Sequence, residues 1–191
     1  MTASVDDVPA VEVTTWFLEM TAPAQLAPAP DPDPELDVRQ VELPSPELSR
    51  ALYAAVGSDW YWTDRLGWSR ERWHERLVRP EVETWVGWVR GAPAGYAELE
   101  RDAGAVELAS FGLLPDFIGR GLGTRLLDAV VRRAWALEPR RVWLHTCSLD
   151  SPAAMRTYRG RGFEIYDERT GRLPLPVRRP EPWPGAGSAA G

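Results

Sequence analysis

Apolar and polar positions along this chain fall into short blocks whose period changes from two to about 3.6 residues and back. Val11 to Met20 (VEVTTWFLEM) is rich in β-branched and aromatic residues and predicts a strand. The next stretch, residues 22 to 35, carries five prolines, which forbid regular structure and predict an extended arm or linker. Val38 to Leu43 predicts a second strand. Ser45-Pro46-Glu47 joins a capping hydroxyl, Pro at the first helical position and an acid in the first turn. A helix is therefore predicted from there to about Val56, ended by Gly57. A second helix is predicted from Ser69 to Leu77, closed by Pro80. Val82 to Val89 and Ala94 to Glu100 read as strands joined by a Gly91-Ala92-Pro93 turn, and Val106 to Leu114 as another. The clearest helix is Gly121 to Leu137, where Leu122, Leu126, Leu127, Val130, Val131, Ala134 and Trp135 recur on one face. Val142 to Thr146 predicts a strand, Pro152 to Arg159 a short helix, and Gly162 to Tyr166 leads into a last strand. The order predicts an α/β (α+β) fold around one mixed sheet. Three segments are expected: a strand and Pro-rich arm over 1–36, the main domain over 37–170, and a disordered Pro-, Gly- and Ala-rich tail over 171–191.

Composition narrows the classes of function. The chain has 191 residues, which favours one main domain, and 44% hydrophobic residues, enough for a core. No stretch approaches the roughly 18 unbroken apolar residues of a membrane helix, so no membrane partner is expected. Met1 to Ala10 carries Asp6 and Asp7 and no basic residue, unlike a secretory or transit leader, so a cytoplasmic location is expected. The net charge is -6, and all 22 basic residues are Arg. Such a balance disfavours nucleic acid as a partner and suits a cationic one. Cys147 is the single cysteine, which excludes an intrachain disulfide and a cysteine-rich metal site, and no metal is expected.

The segment Glu107 to Leu127, ELASFGLLPDFIGRGLGTRLL, carries the strongest chemistry. It reads as strand, Pro-punctuated turn, Gly119-Arg120-Gly121-Leu122-Gly123, then helix. Glycines there let backbone N–H groups converge on one concavity, and the helix adds the positive end of its dipole, a combination suited to pyrophosphate. Arg120 adds a charge at the rim. A Walker loop needs Lys after the glycines, and the chain has none. The spacing of Gly119, Gly121 and Gly123 does not fit the wider last interval of a dinucleotide-binding loop. The bland alternative is a tight turn without a ligand.

The segment resembles motif A of the GNAT (GCN5-related) N-acetyltransferases, in which Gln or Arg, two residues, Gly, one residue and then Gly or Ala follow in order. Ile118 stands here where Gln or Arg is usual. FGLLPDFIGRGLG followed by HTCSLDSPAA is also similar to a bacterial GNAT subgroup of poorly defined substrate. The resemblance covers about residues 38 to 168. It implies a GNAT fold, a twisted mixed sheet splayed near the glycine strand with helices on both sides, and acetyl-CoA as co-substrate. It further implies that the backbone of Phe111, Gly112 and Leu113 pairs with pantetheine. Gly119, Arg120, Gly121, Leu122, Gly123 and Thr124 would hold the pyrophosphate. The implied reaction is N-acetyl transfer to a primary amine of a small molecule or peptide by direct attack in a ternary complex. The resemblance also makes a homodimer a candidate, with Val11 to Met20 as an exchanged strand whose apolar run would otherwise be an exposed edge.

Attack on a thioester needs a neutral amine, and the departing thiolate needs a proton. Glu107 lies eleven residues before Ile118, the spacing of the glutamate base in related enzymes, and strand alternation would place it with Ala109 and Phe111 on one face, opposite Leu108 and Ser110. Its alternative is a salt-bridge partner. Tyr158, just before Gly162-Phe163, resembles the motif B tyrosine that points at the CoA sulfur; Ser151 takes the helix-opening slot where Asn is usual. A core aromatic is the alternative for Tyr158. His145 shares a strand face with Trp143 and Cys147 and is a second candidate base or substrate contact; a packed, hydrogen-bonded histidine is the favoured alternative. Cys147 lacks an obvious base apart from His145, which disfavours an acyl-cysteine, and His74 reads as structural. Trp60, Tyr61, Trp62, Trp68 and Trp73, with Asp59, Asp64 and Glu71, suggest either an aromatic, acidic pocket for a cationic amine, with Trp60 and Trp62 in contact, or core anchors of a lid. Two other classes stay open: a non-catalytic acyl-CoA-binding sensor, and an interaction protein using the arm and tail.

Overall fold

The protein is described from a computed structural model over residues 10–28, 31 and 35–175. The expected tail beyond Leu175 and the acidic N-terminus with Asp6 and Asp7 lie outside those residues. Among the described residues the chain runs β1 (Ala10–Met20), β2 (Leu36–Gln40), α1 (Pro46–Gly57), α2 (Arg70–Leu77), β3 (Val82–Val89), β4 (Ala92–Asp102) and β5 (Ala105–Leu113). It continues through α3 (Leu122–Ala136), β6 (Arg141–Cys147), α4 (Ala154–Gly160) and β7 (Glu164–Pro174). One seven-stranded mixed sheet has the order β2-β3-β4-β5-β6-β1-β7, and its only parallel pair is β5 with β6. This is the mixed α/β sheet with helices on both faces that the sequence predicts.

Local chemistry explains most boundaries. Ser45 accepts a hydrogen bond from the Leu48 N–H at 3.3 Å and Ser69 from the Arg72 N–H at 3.2 Å, so each caps the helix that follows it. The turn between β3 and β4 is tighter than expected. Arg90 (φ 50°) and Gly91 (φ 83°) alone make it, and Ala92 and Pro93 already belong to β4, paired with Val89 and Trp88. β7 also runs on to Pro174, with Arg172 and Leu173 paired to Glu12 and Val11, and Leu175 is buried. The segment from Arg172 to Leu175 is therefore strand and core, not tail. Its solvent-facing Arg and Pro residues are tolerated because β7 is an edge strand.

Helices cover both faces. α3 and α4 close one, where Leu126, Leu127, Val130, Val131 and Ala134 meet Ala97 and Leu99 of β4 and Leu18 and Met20 of β1. α1 and α2 close part of the other, where Leu52, Tyr53, Val56 and Trp73 meet Val86 and Tyr96. β1 is not an appendage: it lies between β6 and β7, hydrogen-bonded on both sides. Thr15 to Glu19 is paired on both sides, whereas Ala10 to Val13 pairs with β7 alone. The described part of the proline arm is also packed. The Arg161 guanidinium is buried, donates to the Ala27 and Pro28 carbonyls at 2.8 Å each, and pairs with Asp128 on α3. At Gly162 (φ 102°) any side chain would collide with the Gln25 carbonyl, 1.9 Å from an ideal Cβ. Only one short 3-10 turn, Pro23–Gln25, forms there, and tertiary hydrogen bonds seat the rest of the described arm.

Candidate active site

The sheet divides along β5. β5 and β6 pair only over Ala105–Glu107 with Arg141–Trp143, although β5 continues to Leu113 and β6 to Cys147. Beyond Glu107, β5 is paired with β4 alone, so the backbone groups of Ser110 to Leu113 on the other side have no strand partner. Tyr158 of α4 stands at the split, its ring 6.0 Å from that of Phe111. The resulting cleft encloses about 630 Å³ and is lined by Leu108 to Leu113, by the glycine turn, by Tyr158, by Trp60 to Arg65 and by His145.

A bulge in β5 overturns the expected alternation. Leu99 pairs with Leu108 but Glu98 pairs with Ser110, so Ala109 is an extra residue. Phe111 consequently joins Leu108 on the α3 face, while Glu107 and Ser110 share the opposite face with Glu100 and Glu98. The expectation that Glu107, Ala109 and Phe111 share one face fails, because a single inserted residue inverts every later side chain. Gly112 then faces α1, where an ideal Cβ would come within 2.4 Å of Val56 Cγ1. The α1 helix thus lies directly on the strand that borders the cleft.

The glycine turn closes one end. Gly119 (φ 82°) and Gly121 (φ 76°) are left-handed, which favours glycine, and Gly121 begins α3 without a side-chain cap. Gly119, Gly121, Gly123 and Thr124 line the cleft. Leu122 does not: its side chain is buried beside Val89 and Ala94, leaving only its N–H on the turn. The Arg120 guanidinium stacks over Phe117 at 5.4 Å rather than lining the cleft. Ser151 does not cap α4 either. It lies in the preceding turn, where its Oγ accepts from the Ala153 N–H at 3.3 Å, and Ala153 occupies the capping position.

Tyr158 is both core and site. Its ring packs edge-on against Phe163 at 6.3 Å, and its hydroxyl makes no hydrogen bond among the described residues. Burial pushes its phenol above the ordinary value, with the Asp150 charge adding to the effect. Glu107 and His145 meet: His145 Nδ1 lies 3.3 Å from Glu107 Oε1. Glu107 raises the imidazole above its ordinary value against the opposing effect of burial, with smaller contributions from Asp150 and Asp64. Glu107 does not line the cleft. It borders a second cavity of about 690 Å³ together with Glu100, Arg79, Arg140, Arg141 and Trp143. Burial, then Asp150, raises the Cys147 thiol, which lowers its nucleophilicity at neutral pH.

The aromatic segment splits by role. Trp73 is wholly buried and Trp62 packs on Tyr53 (5.3 Å) and Tyr96 (6.4 Å), whereas Trp60 makes no ring contact among the described residues. Trp68 already carries an intrachain cation, Arg72 at 4.4 Å from its ring. Asp64 lines the cleft; Asp59 and Glu71 do not. A buried carboxylate fixes this wall. Glu98 accepts from Arg65 and Arg76 at 2.8 Å each, and Arg76 also reaches Glu100 at 2.8 Å. Three site features were not expected: Glu98, Asp150 and the stretch from Leu173 to Leu175 that reaches the cleft. Asp150 accepts from Thr146 Oγ1 at 2.6 Å and the Cys147 N–H at 2.9 Å. An Asp before Ser-Pro at a strand end is the signal that marks such a turn. Among the described residues no three His, Cys, Asp or Glu side chains are grouped to hold a metal, and no helix is long and apolar enough to cross a membrane.

No curated protein matches the sequence. The fold is similar to a GCN5-related N-acetyltransferase from Kribbella flavida, with a TM-score of 0.61 and 22% identity over 85% of this chain and 58% of that one. It is similar to another from Sphaerobacter thermophilus, with a TM-score of 0.63 and 22% identity over 90% of this chain and 55% of that one. The chain thus spans little more than half the length of those two proteins. An aminoglycoside N-acetyltransferase in complex with CoA superposes with a TM-score of 0.51, at 21% identity over 78% of this chain and 98% of that one. Residues 48–163, more than half of the chain, match the acetyltransferase (GNAT) family, and the chain belongs to that family.

Proposed function

We propose that this protein transfers an acetyl or similar acyl group from acyl-CoA to a primary amine in the cleft between β5 and β6. The observation that carries the reading is the split itself. It leaves one side of β5 unpaired from Ser110 to Leu113, and the same cleft ends on the left-handed glycine turn at the start of α3. The Phe111 to Leu113 backbone would pair with pantetheine, as a further strand would. The N–H groups from Gly119 to Thr124 would hold the pyrophosphate, aided by the helix dipole. Arg120, on Phe117, would reach phosphate only by leaving that ring. A β5 amide beside the bulge would stabilise the oxyanion. Tyr158 would give its proton to the departing thiolate, and Glu107 would supply the negative charge that draws the amine's proton. Trp60, Trp62, Asp64 and His145 line the acceptor end and fit a cationic amine. The CoA bound by the aminoglycoside enzyme of similar fold agrees with this reading.

The working unit in this proposal is the whole sheet, residues 10–175, with no metal, nucleic acid or membrane taking part. The test is calorimetric titration with acetyl-CoA, using CoA and ATP as controls. It is followed by thiol release from acetyl-CoA with spermidine, 2-phenylethylamine, an aminoglycoside and a free dipeptide. Micromolar binding of acetyl-CoA without ATP binding, and amine-dependent thiol release, are expected. Failure to bind acetyl-CoA would remove the reading. Binding without turnover on any amine would favour an acyl-CoA-binding sensor.

A further inference from the structure

We propose that His145, rather than Glu107, takes the proton from the incoming amine, and that Glu107 is the positioning residue behind it. This rests on the acyltransferase reading and identifies its base. The two residues lie on adjacent strands. Glu107 with Trp143 is the last β5–β6 pair before the split, and His145 is the next residue of β6 on the face of Trp143. His145 is therefore the first side chain of that face inside the opening, and it lines the cleft with Ser110, Trp60 and Asp64. Glu107 lies one position back and borders the second cavity instead. A carboxylate outside the cleft reaches the reacting amine only through another group. The imidazole is that group: its Nδ1 is 3.3 Å from Glu107 Oε1, and Nε2 has no partner among the described residues.

The ring's surroundings suit the role. Phe17 of β1 lies 6.1 Å from it and Trp143 6.4 Å, which limits the ring's orientation. Half of the side chain is exposed, so a proton taken up on Nε2 can leave to water. The charged or titratable groups around it are Glu107 from β5, Asp64 from the α1–α2 loop, and Asp150 from the β6–α4 turn. Cys147 adjoins on its own strand, and beside Phe17 and Trp143 stand Tyr166, Arg169 and Arg141. The nearest charges are negative and favour imidazolium, which is the form the ring takes when it accepts a proton.

The ammonium of the acceptor gives one proton to Nε2. The neutral amine forms the N–C bond, and the C–S bond breaks with its electron pair going to sulfur. The thiolate takes the Tyr158 proton, and the second proton lost by nitrogen restores Tyr158. Amide, CoA thiol and one proton released from His145 are the products. Because Glu107 raises the imidazole, neutral His145 is scarce at low pH, so kcat/KM should fall as pH drops through a value above that of an ordinary histidine.

The experiment uses the full chain with acetyl-CoA and the fastest amine of the screen. The chain has two histidines, so in H74Q the remaining ¹⁵N-labelled imidazole signal is that of His145. That signal is expected to titrate with the acidic limb of kcat/KM. In E107Q both should move down together toward the ordinary histidine value, while E107D keeps most of the shift. H145Q should lose about 10²-fold or more in kcat/KM and lose the limb, with acetyl-CoA affinity unchanged, and added imidazole should partly restore H145A. Wild-type kcat/KM and limb in H145Q would overturn the proposal, as would an imidazole pKa indifferent to E107Q. These outcomes differ from failure of the acyltransferase reading, in which the wild-type protein itself turns over no amine.

Discussion

At the scale of single residues, the cleft separates side chains that pack from side chains free to act. Tyr158 does both, since its ring packs between Phe111 and Phe163 while its hydroxyl has no hydrogen bond among the described residues. Tyr158→Phe keeps the packing and removes only the hydroxyl proposed as the proton donor. It should lower kcat by about 10²-fold or more and leave acetyl-CoA affinity and melting temperature unchanged. Full kcat in that variant would remove Tyr158 as the acid. Trp60 and Trp62, two residues apart, both line the cleft, but only Trp62 also packs on core rings, so their Leu variants should diverge. Trp60→Leu should raise the acceptor KM with little effect on Tm. Trp62→Leu should lower Tm by several degrees, because it empties the space against Tyr53, Tyr96 and the α1 terminus at Gly57. Equal effects of the two substitutions on KM and Tm would contradict this division.

At the scale of elements, α2 and the α1–α2 loop are tied to the sheet by charge as well as by apolar contact. Glu98 is 1% exposed and receives Arg65 from the loop and Arg76 from α2. Two partly buried guanidinium groups share that carboxylate, so removing it leaves both without their main partner. Glu98→Ala should cost about 3–5 kcal/mol, read by urea denaturation, and should loosen the wall that carries Trp60 and Asp64. A loss below about 1 kcal/mol would mean that the pairs behave like surface ones. Single helices and caps were legible in the sequence because they depend on neighbours in the chain, as at Ser45, Ser69 and the α3 stripe. The bulge at Ala109 was not legible, since nothing in ELASFGL marks an unpaired residue. It exists because β4 pairs with β5 in two registers, one on each side of it.

At the scale of the whole molecule, the N-terminal strand is central to the half of the sheet beyond the split. β1 joins β6 to β7 and contributes Leu18 and Met20 to the core under α3 and α4. Removing residues 1–36 would therefore do more than detach an arm: it would open two strand edges and uncover that core. The truncated protein is expected to be insoluble or to lack a cooperative thermal transition. A folded truncated protein with wild-type Tm would show that β6 and β7 can pair without β1.

Most features set by short-range chemistry could be read along the chain. The glycine turn at Gly119 and Gly121, the α3 stripe, the capped helices and the strand-rich segments all follow from backbone freedom, periodicity and capping within a few residues. Tertiary structure alone decided where those pieces meet. It placed β1 between two strands more than 120 residues away in the chain, ended the β5–β6 pairing at Glu107, and set His145 against that carboxylate. Strand pairing over such separations depends on the summed packing of both faces, which no local pattern encodes.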